Sequence, residues 1–205
     1  MAKLYFRYGN MGSSKTANAL MTKFNFEEKK QNVILMKPEI DDRDGDNIIK
    51  SRMGLQDFAV LIPKGDKYHD GFIREYSNNK YVDYIIVDEA QFLTKEQVDE
   101  LVYCVDIGNV SVFCYGLKTD FKGYLFDGSK RLIEMADSIE EIKTMCLCGK
   151  KALMNARIIN GEITKTGDQI QIGGNESYVS LCRKCWTEGK YMRKTIYTTD
   201  IINRD

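Results

Sequence analysis

No stretch of this chain comes near the roughly 18 consecutive apolar residues that a membrane-spanning helix needs, so no membrane partner is read. Its first residues, Met1-Ala2-Lys3, run straight into an apolar strand-like stretch and lack the hydrophobic region of a signal peptide. A cytoplasmic protein is the expectation. Proline is scarce, two in 205 residues, and no low-complexity tract, charge block or internal repeat is visible, which excludes solenoid and Pro-rich architectures. An excess of either charge is also missing. Thirty basic residues balance 30 acidic ones, which argues against a nucleic-acid-coating surface. With a single histidine, His69, no Cys₂His₂ zinc site can form, and His69 is read as a surface or helix-face residue. A chain of this length buries enough surface to fold without disulfides. Its six cysteines, in a cytoplasmic setting, point to thiols or to a metal.

Apolar runs alternate with helix-like segments. Residues 4–6, 33–36, 58–62, 84–87 and 110–115 read as buried strands, short and rich in β-branched and aromatic side chains. A first helix is predicted over 17–30, with Ala17, Leu20, Met21 and Phe24 at helical spacing. Shorter helices are expected over 70–78 and 129–136. The capping-box spacing of Thr94-Lys95-Glu96-Gln97 starts another at Lys95 that runs to about Val105. This alternation predicts an α/β fold, a parallel sheet flanked by helices, with ligands at the carboxyl ends of the strands. The pattern changes near Thr144, where cysteine pairs, two short strand-like stretches and a Gly-Gly turn follow. A core over 1–143 and a smaller unit over 144–205 are predicted, packed tightly because the linker is poor in Pro and Gly.

Gly9-Asn10-Met11-Gly12-Ser13-Ser14-Lys15-Thr16 lies between the first strand and the first helix. That is the setting of a phosphate-binding loop, whose backbone N–H groups and helix N-terminus face anionic oxygens. Lys15 would reach the β/γ-phosphates of a nucleotide and Thr16 would hold Mg²⁺. Ser14 occupies the position where the consensus places its second glycine, which costs about 1 kcal/mol if that residue needs positive φ. Tyr84-Ile85-Ile86-Val87-Asp88-Glu89 is an apolar strand ending in two carboxylates. Asp88 is placed to bind Mg²⁺, and Glu89 to act as a general base; two solvated acids in a turn is the plainer alternative. Cys146 and Cys148, with Cys182 and Cys185, form two close pairs suited to a structural zinc ion. The first pair is C-x-C, tighter than the usual C-x₂-C, and free buried thiols are the alternative. Cys104 and Cys114 sit in apolar surroundings and read as core. The acidic run from Glu39 to Asp46 lacks a calcium-loop pattern and reads as a mobile loop near the site.

Together these residues resemble the small cytosolic thymidine kinase family of type II, which joins a P-loop, RecA-like core to a zinc ribbon. The specific parts are Asp88-Glu89-Ala90-Gln91-Phe92, Gly116-Leu117-Lys118-Thr119-Asp120-Phe121 and Ile172-Gly173-Gly174-Asn175-Glu176-Ser177-Tyr178, with Ser51-Arg52-Met53-Gly54-Leu55 and the terminal cysteine pair. The resemblance implies transfer of phosphate from ATP to the 5′-hydroxyl of thymidine, with deoxyuridine as a further candidate. It implies Glu89 as catalytic base, and Asp41, Arg43, Asp88 and Gln91 with residues 9–16 around the nucleotide. Met11, Phe92, Leu117, Phe121, Phe126, Gly174 and Tyr178 would line a thymine pocket. Residues 166–178 would form a lasso over the base, and the protein would be a homotetramer. A nucleic-acid-stimulated ATPase, or a zinc-ribbon binding module with a degenerate nucleotide site, are the rival readings.

Overall fold

The computed structural model describes residues 1–42, 45, 47–64, 71–78, 80–169 and 178–191. Arg43, His69 and Gly174, most of the expected lasso and part of the acidic run lie outside them. In chain order the elements are β1 (Leu4–Tyr8), α1 (Lys15–Glu27), β2 (Val33–Pro38), β3 (Ile48–Lys50), β4 (Gln56–Phe58), β5 (Val60–Ile62), α2 (Phe72–Asn78) and β6 (Tyr84–Val87). A 3₁₀ turn at Ala90–Phe92 then leads to α3 (Lys95–Asp106), β7 (Ser111–Gly116), α4 (Asp127–Met135) and β8 (Ser138–Glu141). The chain continues as β9 (Met154–Ile159), β10 (Glu162–Thr164), β11 (Tyr178–Leu181) and α5 (Arg183–Thr187).

Six strands form one parallel sheet in the order β5-β2-β6-β7-β1-β8. The pleat sorts its side chains onto two faces. Ile85, Val87, Val112 and Cys114 pack toward Ile73 of α2, Val98 and Leu101 of α3 and Leu132 of α4. Ile86, Phe113 and Tyr115 point the other way, toward Ala19 and Leu20 of α1. Both faces are covered, which is why β6 and β7 read as continuous apolar runs. Each fully buried aliphatic side chain contributes about 1.5–3 kcal/mol.

The helices follow their local chemistry. α3 starts at the expected capping box: Thr94 Oγ1 accepts from the Gln97 N–H at 3.3 Å, and Gln97 Oε1 accepts from the Thr94 N–H at 2.9 Å. Glu100 on α3 is buried, and its carboxylate accepts N–H bonds from Gly71, Ile73 and Arg74 at the start of α2. The buried face of α1 differs from the expected one. Ala17 and Leu20 are buried, but Met21 and Phe24 are exposed, and Phe26 instead stacks on Tyr84 with ring centroids 3.9 Å apart. The helix begins at Lys15, and the stripe that meets the sheet runs through Ala19, Leu20 and Phe26.

Residues 58–62, expected as one strand, divide. β4 pairs antiparallel with β3 while β5 joins the main sheet beside β2, and Phe58 is left exposed. β9 is central in an antiparallel sheet, β10-β9-β11, with its own small core of Ala152, Ala156, Leu181, Cys146 and Cys182.

Candidate active site

Four strand ends build the site. β1 feeds the loop of residues 9–16, β2 delivers Asp41, β6 delivers Asp88 and Glu89, and β7 feeds Leu117 to Phe121. β7 stands between β1 and β6, so the loop and the carboxylate pair flank it at the same edge. A cavity of about 470 Å³ lies there. Met11, Gly12, Ser14, Lys15 and Thr16 line one side, with Asp41, Asp88, Glu89 and Gln91 beside them; Phe92, Leu117, Phe121, Phe126 and Tyr178 line the apolar part.

The loop has the close approaches its glycines permit. A Cβ on Gly9 would meet Ser13 Oγ at 2.4 Å and the Ile142 carbonyl at 2.6 Å. Gly12 has φ +75°. Ser14 is also left-handed, at φ 62° and ψ 28°, so the position does require the conformation its glycine-free sequence made costly. Lys15 is buried, and its Nζ donates to the Asn10 carbonyl at 2.9 Å. Gly9, Asn10 and Ser13 form the base of the turn and do not line the cavity.

Asp88 is buried. One carboxylate oxygen, Oδ1, has no hydrogen-bond partner among the described residues, and the carboxylate accepts from the Thr16 hydroxyl. Burial, then the neighbouring Glu89 charge, pushes the Asp88 carboxyl up to about 7. Glu89 takes a left-handed conformation, φ 51° and ψ 34°, which turns it away from Asp88's direction at the strand end. Gln91 holds its side chain. The Gln91 amide donates to Glu89 Oε2 and accepts from the Leu117 N–H at 2.9 Å. Gln91 is buried, and a Cβ on Gly116 would meet its Oε1 at 2.7 Å, so the amide is locked between two strand ends.

The thymidine kinase family model matches residues 2–186. The chain belongs to the thymidine kinase family. A thymidine kinase of Streptococcus pyogenes is 46% identical over 185 residues, which is 90% of this chain and 96% of the relative. One from Shewanella oneidensis is 42% identical over 189 residues, 92% of this chain and 98% of its own. One from Haemophilus influenzae is 44% identical over 189 residues, 92% and 97% respectively. Kinases of this family use ATP. No helix among the described residues is long and apolar enough to cross a membrane.

The apolar half is braced from the second sheet. Arg157 on β9 is buried, with its guanidinium 3.8 Å from the Phe121 ring centroid. Its Nε donates to the Tyr178 hydroxyl at 2.7 Å and its Nη1 to the Asp168 carbonyl at 3.0 Å. Phe92 and Phe126 meet edge to face, with centroids 5.8 Å apart.

The four cysteines come together away from this cavity. Their sulfurs all lie within 4.8 Å of one another, with Cys146 and Cys148 3.5 Å apart and Cys148 and Cys182 3.7 Å apart. A tetrahedron with Zn–S bonds of about 2.3 Å has edges of about 3.8 Å, so the tight C-x-C pair reaches the same centre as the C-x₂-C pair. The Cys185 N–H donates to Cys182 Sγ and pulls that thiol down to about 7. Cys104 and Cys114 are buried core residues, and burial pushes both thiols up.

Sequence reasoning named Ser51, Arg52, Met53 and Gly54 only as a stretch of resemblance; all four line the cavity. Thr119 and Asp120 are of the same kind. Asn155 was missed altogether. Its signal was present, since an Asn within the apolar stretch 152–159 must find partners if buried.

Proposed function

We propose that this chain transfers the γ-phosphoryl group of ATP to the 5′-hydroxyl of thymidine, with deoxyuridine a second acceptor to be tested, and that Glu89 is the base. Thymidine phosphorylation for nucleotide salvage follows from the family. The residue roles rest on the observation that Glu89, held by Gln91, lines the same cavity as Lys15, Thr16 and the aromatic side chains. Lys15 and the loop N–H groups bind the phosphates, and Ser14 lies beside them. Thr16 and Asp88 would hold Mg²⁺. A buried carboxylate oxygen lacking a partner, next to a hydroxyl, is the hard oxygen donor set that this ion takes. When bound, Mg²⁺ neutralises charge on the phosphate oxygens. Glu89 orients the nucleoside hydroxyl and takes its proton, while most of the acceleration comes from positioning. Asp41 and Arg43 belong to the nucleotide side. Met11, Phe92, Leu117, Phe121, Phe126 and Tyr178 enclose the base, and the family resemblance assigns its cover to residues 166–178, Gly174 among them.

We read residues 1–143 as the catalytic core and 144–205 as a zinc-ribbon unit, with Cys146, Cys148, Cys182 and Cys185 binding structural zinc. A homotetramer working in the cytoplasm is part of the same reading, supported by the family resemblance. The test of the chemistry is Glu89→Gln. Its kcat for thymidine should fall by about 10²–10⁴-fold, with little change in KM. Turnover near the wild-type rate would remove Glu89 from the mechanism.

A further inference from the structure

Met11 belongs to the phosphate loop in sequence and lines the cavity. Both of its peptide groups are held by the second sheet. The Met11 N–H donates to Asn155 Oδ1 at 2.9 Å, and its carbonyl accepts from the Ser180 hydroxyl. Asn155 and Ser180 are directly opposite each other on β9 and β11, so their side chains leave the sheet on one face as a cross-strand pair. Asn155 does more than hold Met11. Its Nδ2 donates to the Thr119 carbonyl at 3.1 Å, so one buried amide joins the phosphate loop to the loop after β7. That arrangement fixes the amide's orientation, because the acceptor must face the N–H and the donor must face the carbonyl.

We propose that Asn155 and Ser180 are positioning residues that clamp Met11 and so pre-form the nucleotide-phosphate loop from the C-terminal unit. The proposal rests on the reading of residues 9–16 as that loop. A phosphate cradle works through backbone N–H groups that already point at the ligand. A loop residue left unheld must be ordered on binding, which weakens affinity without removing any contact to the ligand. The clamp makes the C-terminal unit part of the nucleotide site, in addition to the cavity lining that Gln169 and Tyr178 provide. Ser180 acts on Met11 alone, whereas Asn155 acts on Met11 and Thr119 together. Loss of the serine hydroxyl therefore releases only the phosphate loop, whereas loss of the amide releases that loop and the loop after β7 together.

Ser180→Thr and Ser180→Val have the same shape and differ by one hydroxyl, and β11 accepts β-branched residues. MgATP affinity is measured by calorimetry on the wild type and both variants, with thermal melting to confirm folding. The threonine variant should bind within about two-fold of wild type. The valine variant should bind about three- to ten-fold more weakly, the range for one net hydrogen bond. Equal affinities, or an equal loss in both, would overturn the clamp. Hydrogen exchange on the wild type decides the matter even if the valine variant does not fold. The Met11 amide should exchange slowly in the ligand-free protein, and fast exchange there refutes the proposal. A wild type that binds no MgATP would refute the kinase reading, while the Met11 amide would still report on the clamp.

Discussion

Replacing Ser14 with glycine should stabilise this protein, and the structure says by how much. Ser14 has φ 62° and ψ 28°, where an L-residue with a Cβ is about 1–2 kcal/mol worse than in its preferred conformations. Its side chain is exposed and makes no capping hydrogen bond to the helix it precedes. What it contributes is its carbonyl, which accepts from the Asn18 N–H at 2.9 Å and the Asn18 amide at 2.8 Å, and glycine keeps both. Against the relief stands the greater freedom of glycine in the unfolded chain, about 0.5–1 kcal/mol. The net gain is about 0.5–1 kcal/mol, or a Tm rise of about 1–4 °C for a domain of this size. Ser14→Ala is the control, since it removes the hydroxyl and keeps the Cβ. Thermal melting of the three proteins at equal concentration, without ligand, is the assay. Ser14→Gly should melt highest, with Ser14→Ala close to wild type. If alanine rises as much as glycine, the hydroxyl and not the backbone was the burden, and the reasoning fails. Calorimetry with MgATP should show equal or tighter binding for Ser14→Gly, because a Cβ beside the phosphate loop helps no contact.

Two further outcomes follow from buried groups. Arg157→Lys keeps the charge but loses the planar fork that serves the Tyr178 hydroxyl and the Asp168 carbonyl, so KM for thymidine should rise about ten-fold while KM for ATP stays put; unchanged thymidine kinetics would contradict it. Asp88 holds its proton more tightly in the folded state, at about 7, than at its ordinary value of 3.8, so its contribution to stability is present at low pH and is lost as pH rises from about 4 to about 7. In the absence of Mg²⁺, Asp88→Asn should therefore melt above wild type at pH 8, by about 1–3 kcal/mol of stability, with the gap closing toward pH 4–5; a gap that does not depend on pH would count against it.

What the sequence made legible was whatever is set locally. The apolar run 84–87 is β6 residue for residue, and the Thr94 capping box opens α3, because buried parallel strands and helix caps are written in adjacent residues. The cost at Ser14 was stated from the loop pattern alone. β8 was not legible. Ser-Ile-Glu-Glu has no alternation and carries charge, as an edge strand can, and only its pairing with β1 makes it a strand. The division at Ala59 was hidden for the same reason, since β4 and β5 answer to different partners. The face of α1 misled because spacing gives a stripe but not its rotation, which the stacking of Phe26 on Tyr84 decides. Asn155 and Arg157 were invisible as site residues, lying far in sequence from the loops they brace.

Several costs in this fold meet at the cavity, although Lys30, Asn109 and Asn160 are also left-handed and lie elsewhere. Ser14 and Glu89 are both left-handed residues with a Cβ, and both border the cavity. Asp88 is buried with an oxygen that no described residue satisfies, and its carboxyl is pushed up by the charge next to it. None of these improves the folded state by itself. Each is held in place by something well made: the sheet ends of β1 and β6, the Gln91 amide between Glu89 and Leu117, and the Asn155–Ser180 pair on Met11. A cation at Asp88 would satisfy the orphaned oxygen and reverse the shift, and phosphates would satisfy the loop. Stability given up at these residues is thus recovered on binding, which is how a rigid sheet keeps a charged site ready without rearranging it.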